Sequence, residues 1–291
     1  MGVYFKLKRG AVHPSERTNA EYLRKRGRPK KSLGQCFLID DGVVRRIVRE
    51  AAISPQDVVL EIGPGRGALT GHLLNQGARV VGVEIDHVLC EGLKDQFGEE
   101  KRFVLIEEDI LKLDWEARII PSDGDLIVVA NLPYHITSPV LFKLLEHSDF
   151  IARAFLMVQA EVGKRIAAQP GCKDYGILSV RTQLKSRPEV LFPVHRNCFR
   201  PTPRVDSCVI RLPFGATPGP FPADEETFNH IVKTAFGQRR KMLRNALSSL
   251  DEPIFEAARR ADIDLSRRAE TLSVEEFVRL SDAFSLVSGD Q

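Results

Sequence analysis

The chain has 291 residues, 43% of them hydrophobic, enough for one large domain plus a small one and too apolar to be disordered throughout. Its 42 Lys and Arg against 39 Asp and Glu leave a net charge of only +3. Ten of those cations, against only Glu16 and Glu21, fall within residues 1–31, so a segment of +8 precedes a slightly acidic body.

Residues 1–31 show no sustained periodicity and are expected to stay mobile until a partner orders them. Such a polycationic segment suits a phosphate backbone. Arg26-Gly27-Arg28-Pro29-Lys30 is similar to the core of an AT-hook, but it is one short copy, and a generic electrostatic arm is the better reading. After it comes Lys31-Ser32-Leu33-Gly34-Gln35-Cys36-Phe37-Leu38-Ile39-Asp40, then an amphipathic helix through Val43, Ile47 and Val48 that Asp40 or Asp41 can cap. A first strand, Val58 to Ile62, runs into Gly63-Pro64-Gly65-Arg66-Gly67, and Ala68 to Leu74 begins a helix. A second strand, Val80 to Val83, ends at Glu84-Ile85-Asp86, and a third, Phe103 to Ile106, ends at Glu107-Glu108-Asp109. The fourth, Asp125 to Ala130, has no polar alternation within its branched run, so it reads as a strand buried on both faces; it ends at Asn131-Leu132-Pro133-Tyr134. Phe155 to Val158 reads as a fifth.

Strands alternating with helical segments at this spacing predict an α/β, Rossmann-like, mostly parallel doubly wound sheet. Each marked polar group falls at a strand's carboxyl end, the edge where open α/β sheets bind ligands. Further along lie a helix-like stretch from Gln159 to Ile166, apolar segments at Val190 to Phe192 and Cys208 to Leu212, and the proline-stiffened loop Phe199 to Ser207 between them. Gly215 to Pro220 reads as a linker, and beyond it Phe228, Ile231, Val232, Ala235, Phe236, then Phe277, Leu280 and Phe284, recur at helical spacing. The expected organisation is a basic tail (1–31), an α/β domain (32–214) and a small all-helical domain (221–291).

The five cysteines, Cys36, Cys90, Cys172, Cys198 and Cys208, are scattered, without a Cys-x-x-Cys pair or matching histidine spacing, so reduced thiols are expected and no metal site. His72, His147 and His230 carry no evident chemistry. No apolar run spans a bilayer and no secretory segment leads the chain, so a cytoplasmic protein without membrane attachment is expected.

Glu61-x-Gly63-x-Gly65-x-Gly67 lets backbone approach a ligand where a side chain would collide. Glu84 is placed to accept from ribose hydroxyls, and Asp109 from an adenine amino group. A phosphate anchor is missing, which argues against a dinucleotide. Pro133 stiffens the loop that presents the Asn131 amide, the Leu132 carbonyl and the Tyr134 ring. Two acceptors beside an aromatic plate suit a planar base with an exocyclic amine. Arg239, Arg240, Lys241 and Arg244 fall at one-turn spacing on an expected helix, either as a solvated face or as contacts to RNA phosphates.

The tetrapeptide Asn131 to Tyr134 resembles the signature of S-adenosylmethionine (SAM) dependent methyltransferases that act on exocyclic amines of nucleobases. The likeness extends through Ser32 to Asp40, Glu61 to Gly67, Glu84 to Asp86, Asp109, Lys173-Asp174-Tyr175-Gly176-Ile177-Leu178-Ser179, Phe199 to Ser207 and Ala235 to Asn245. Together these make the chain similar to the KsgA family of ribosomal RNA adenine dimethyltransferases, relatives of the Erm enzymes. The resemblance implies SAM held by Gln35, Cys36, Leu38, Gly63, Gly65, Glu84, Asp109 and Asn131, and a target adenine gripped by Asn131, Leu132, Pro133, Tyr134 and Phe199. It also implies dimethylation on N6 of two adjacent adenines near the 3′ end of small-subunit rRNA, with the immature small subunit as partner and a monomeric enzyme. Cys36 and His135 each stand where relatives commonly carry asparagine, and Ala269 replaces a usual proline. An Erm-type enzyme acting on large-subunit rRNA and an assembly factor without methyl transfer are the competing readings.

Overall fold

The computed structural model describes residues 29–119, 125–215 and 219–289; the basic segment before Pro29 and the middle of the expected linker lie outside the described residues. Nine strands are present among them: β1 (Phe37–Leu38), β2 (Val58–Ile62), β3 (Arg79–Glu84), β4 (Phe103–Glu107), β5 (Leu126–Asn131), β6 (Ile151–Gln159), β7 (Glu189–Val194), β8 (Phe199–Arg200) and β9 (Ser207–Pro213). Seven form one sheet in the order β4-β3-β2-β5-β6-β9-β7. The first five run parallel; β9 pairs antiparallel with β6 at one side, and β7 pairs antiparallel with β9 beyond it. The segment expected around Val190 is thus a sheet strand reached from β6 through the helices Ala160–Ile166 and Ile177–Lys185, and the one around Cys208 is a strand to which the chain turns back beside it.

Branched residues make β2 and β5 strands because both faces are covered. Leu60, Ile62, Leu126, Val128 and Ala130 enter one core, with Leu141 and Leu144 of the helix Thr137–Glu146. Val59, Ile127 and Val129 enter the other, with Ile47 of the helix Asp41–Ala51 and Leu73 of the helix Ala68–Asn75. A polar residue at any of these positions would have no solvated face to turn to. Asp40, not Asp41, caps the first of these helices, its carboxylate accepting from the Val43 amide at 3.0 Å.

The carboxyl-terminal helices Glu225–Gly237, Asp251–Arg260 and Val274–Gly289 bury Phe228, Ile231, Val232, Ile254, Phe277 and Leu280 together. Ala168, Tyr175, Val180 and Leu184 belong to the same cluster. The helix Ile177–Lys185 therefore supplies one wall of the helical core although it precedes the linker. Among the described residues no helix is long and apolar enough to cross a membrane.

Candidate active site

The site arises where the strand order reverses. From β2 the chain winds outward through β3 and β4, then returns to place β5 on the other side of β2, with Ile62 beside Ala130 in register. The two loops leaving β2 and β5 depart in opposite directions and leave a crevice between them. Gly63, Glu84, Asp109 and Asn131 all reach it from strand ends, and the Glu108 amide donates to the Glu84 carbonyl at 3.0 Å to keep the third and second ends level. The crevice holds a cavity of about 230 Å³. Gln35, Cys36, Gly63, Gly65, Glu84, Asp109, Asn131, Leu132, Pro133, Tyr134 and Phe199 line it.

Its floor is backbone. Gly63 has φ +68°, and a Cβ there would meet no protein atom within 4 Å, so the space over it is open to a ligand. Gly65, at φ +60°, is roofed by the Phe37 ring, 3.3 Å from where a Cβ would stand, and the Arg66 guanidinium stacks on that ring at 4.2 Å. Glu84 is buried, and its carboxylate is held by three backbone amides, those of Gly65, Ile85 and Asp86, each at 3.0 Å. Burial pushes its carboxyl above the usual range, and those amides offset part of the rise. Glu61, on the neighbouring strand β2, is buried; burial, with the Glu84 charge adding to it, pushes its pKa to about 8 despite a 2.6 Å hydrogen bond from Thr70 Oγ1. Among the described residues its second oxygen has no hydrogen-bond partner.

The cavity wall carries Glu84, Glu108 and Asp109 and, among the described residues, neither lysine nor arginine. That charge balance repels a pyrophosphate and favours a ligand of net positive charge. Ile85, Leu89, Ile110 and Leu111 supply apolar walls for a flat base.

At the other end of the cavity the tetrapeptide is fixed by bonds that sequence spacing does not reveal. Asn131 Nδ2 donates to the Cys36 carbonyl at 3.2 Å, which sets the amide so that Oδ1 is the atom left to accept. The Leu132 amide donates to the Met157 carbonyl at 3.2 Å, and the leucine side chain is buried. The Ile136 amide donates to the Pro133 carbonyl at 3.1 Å, closing the turn. Tyr134 Oη lies 2.9 Å from the buried Ser207 Oγ, anchoring the ring by its polar end. Burial pushes the phenol upward, so the ring stays uncharged. Phe199 is brought in by pairing of β8 with β1, Leu38 opposite Phe199.

Two expectations need correction. Leu38 does not line the cavity; its side chain is buried in the core with Val44 and Phe199, because alternation along β1 turns it inward. The run from Arg239 to Arg244 is not one helix: the helix ends at Gly237, the Lys241 amide closes a turn onto the Gln238 carbonyl at 2.8 Å, and a short helix restarts at Leu243. Arg239 faces inward across this turn, pairing with Glu270 at 3.1 Å and donating to the carbonyls of Tyr175, at 3.1 Å, and Lys173. Arg240, Lys241 and Arg244 are exposed.

Lining residues outside the expected site set include Phe37, Ile85, Leu89, Glu108, Ile110, Leu111 and His135. Ile85 carried a signal in the sequence, an apolar residue directly after the strand-end Glu84, and the structure leaves it 52% exposed. Among the described residues no group of three or more histidine, cysteine or acidic side chains is placed to hold a metal.

A family model described as ribosomal RNA adenine dimethylase matches residues 26–285. Ribosomal RNA small subunit methyltransferase A of Clostridium botulinum is 42% identical over 255 residues, covering 87% of this chain and 92% of the relative. The protein of that name from Moorella thermoacetica is 44% identical over 263 residues, covering 87% and 91%. Among solved structures, a dimethyladenosine transferase from Plasmodium falciparum superposes with a TM-score of 0.74 at 24% identity over 87% of this chain and 98% of its own. The 23S rRNA methyltransferase ErmE gives 0.65 at 26% identity over 86% and 99%.

Proposed function

The chain belongs to the ribosomal RNA adenine dimethylase family, and on that premise we propose that its cavity joins SAM to the N6 amine of adenosine in small-subunit rRNA. The enzyme is a SAM-dependent rRNA adenine N6,N6-dimethyltransferase, and its targets are two adjacent adenosines in the 3′-terminal hairpin of 16S rRNA, modified during ribosome biogenesis. The immature small subunit is its partner, and it acts as a monomer in the cytoplasm.

The observation that carries this reading is the Asn131 amide, whose Nδ2 is spent on the Cys36 carbonyl inside an acidic cavity. When bound, SAM supplies an electrophilic methyl group on a sulfonium. The residues present fit it: the open space over Gly63 admits a ligand against backbone, the carboxylates match its positive charge, and no phosphate anchor is needed. Glu84 would take the ribose hydroxyls, Asp109 the adenine amine, and Gln35, Cys36, Gly63 and Gly65 the amino-acid end. Glu108 adds negative charge at the same wall.

An amine on an aromatic ring is a weak nucleophile because its lone pair is delocalised. Asn131 Oδ1 and the Leu132 carbonyl accept its hydrogens and favour a pyramidal nitrogen whose lone pair points at the donor. Tyr134 and Phe199 hold the extruded base between rings, and the Ser207 bond stops the tyrosine from swinging. No strong base is required, because the nitrogen becomes acidic only after transfer and water can take the proton. A second round requires the monomethylated amine to re-enter with its one remaining hydrogen on one of these acceptors, so the pocket must also accept an N6-methyl group.

The test is transfer of labelled methyl from SAM to small subunits that lack dimethyladenine, beside large subunits and bare rRNA, with mass mapping of the product. Dimethyladenine near the small-subunit 3′ end is expected. Label confined to large-subunit RNA, or SAM binding without any transfer, would refute the assignment.

A further inference from the structure

Asp86 stands two residues beyond Glu84 and begins the helix His87–Phe97, its Oδ1 accepting from the Val88 amide at 3.1 Å. A cap of this kind uses one carboxylate oxygen and is commonly solvated. Here the side chain is only 2% exposed, and both oxygens are engaged: Lys30 Nζ reaches Oδ1 at 2.8 Å and Gln35 Nε2 reaches Oδ2 at 2.9 Å. Gln35 Oε1 in turn accepts from the Lys30 amide at 2.7 Å. Lys30, Gln35 and Asp86 thus close a ring between the start of the described chain and the end of β3.

Between that ring and β1, Leu33, Gly34, Gln35 and Cys36 form a wall of the cavity. Gly34, at φ +61°, presses backbone against the His135 ring, with Nδ1 2.9 Å from where a Cβ would stand. The far end of the same segment is held by the Cys36 carbonyl accepting from Asn131 Nδ2. One strap therefore runs from the carboxylate edge of the cavity to the catalytic amide, pinned at both ends.

We propose that Lys30 and Asp86 are positioning residues that latch this strap over the cofactor cavity and so hold SAM in. The idea rests on the reading of this cavity as the SAM site. Lys30 belongs by sequence to the basic segment read as a phosphate-binding arm, but its ammonium is committed to Asp86. Because the lysine is 46% exposed, the pair is screened by salt and opens at modest cost, which suits a strap that must release product. The buried carboxylate left behind keeps the Gln35 and Val88 donors, so the fold survives its loss.

The experiment compares wild type, Lys30→Met, Lys30→Arg and Asp86→Asn for SAM affinity by calorimetry, SAM release by stopped flow, and KM for SAM and for RNA with kcat. Lys30→Met and Asp86→Asn are expected to weaken SAM binding about tenfold, the order for one charge-assisted hydrogen bond, with faster release and kcat unchanged at saturating SAM. Lys30→Arg restores affinity, and the salt dependence of SAM binding expected of wild type is reduced in Lys30→Met. If both weakened variants bind SAM within twofold of wild type, the latch is wrong. If Lys30→Met instead raises only the KM for RNA, the lysine is a phosphate contact and the latch is equally wrong. Failure of the wild-type chain to bind SAM would remove the cavity's assignment first, and the latch with it.

Discussion

Arg239 heads a basic run that looks like a nucleic-acid contact, yet its guanidinium faces the protein. It pairs with Glu270 at 3.1 Å and donates to the carbonyls of Tyr175 and Lys173, tying the loop before the helix Ile177–Lys185 to the turn after Gly237. Replacing it by methionine keeps the aliphatic stem and removes these contacts. Charge-assisted hydrogen bonds contribute about 1.5–3 kcal/mol each when shielded, whereas an exposed ion pair contributes about 0–1. The side chain is 43% exposed, so the lower part of that range applies, and the expected loss is about 2 kcal/mol. In a chain of this size that lowers Tm by about 3 °C. Arg240→Met and Lys241→Met, whose side chains are exposed, should leave Tm unchanged and each reduce the slope of log K against log salt for RNA binding by about 0.7–0.9. Thermal melting and a salt titration of rRNA binding on all three variants decide the matter. Arg239→Met melting like wild type while losing a full unit of salt slope would refute the clasp and return the residue to the RNA surface.

Asn131→Ala should cut kcat by about 10²–10³-fold, as loss of a single aimed acceptor does, while SAM affinity falls far less; transfer at near wild-type rate in single-turnover assays would remove Asn131 from the amine site. The pH dependence of stability follows from Glu61. Its pKa is raised in the folded state to about 8, so the folded chain keeps a proton that the unfolded chain has released, and the associated stability is present at low pH and lost as pH rises. Between about pH 5 and 8 the folded state should lose stability by up to about 1.4 kcal/mol per unit, and Glu61→Gln should flatten that slope in urea titrations. Parallel slopes for the two proteins would mean that Glu61 is already ionised in the native state.

Much of the site was legible because its signals are local. A strand covered on both faces must be an unbroken apolar run, so Leu126 to Ala130 announces itself, and a chain of parallel strands must carry all its loops of one kind to one edge. Gly63, Glu84, Asp109 and Asn131 therefore converge for reasons visible along the sequence. Helical periodicity likewise exposed Phe228, Ile231, Val232 and Phe277 as core. The order of the strands was not legible, since nothing local states that β5 returns to lie beside β2, and that return is what sets Gly63 next to Asn131. Nor were the contacts that finish the site: Cys36 on Asn131, Ser207 on Tyr134, and β1 on β8 join segments far apart in the chain. Charge was the least readable property. Lys30 and Arg239 each sit in a run that composition assigns to a phosphate backbone, and tertiary packing turned each toward a carboxylate of its own chain. Periodicity and turn chemistry act over a few residues, whereas the partner a charge meets is chosen by whichever distant surface the fold brings within about 3 Å of it.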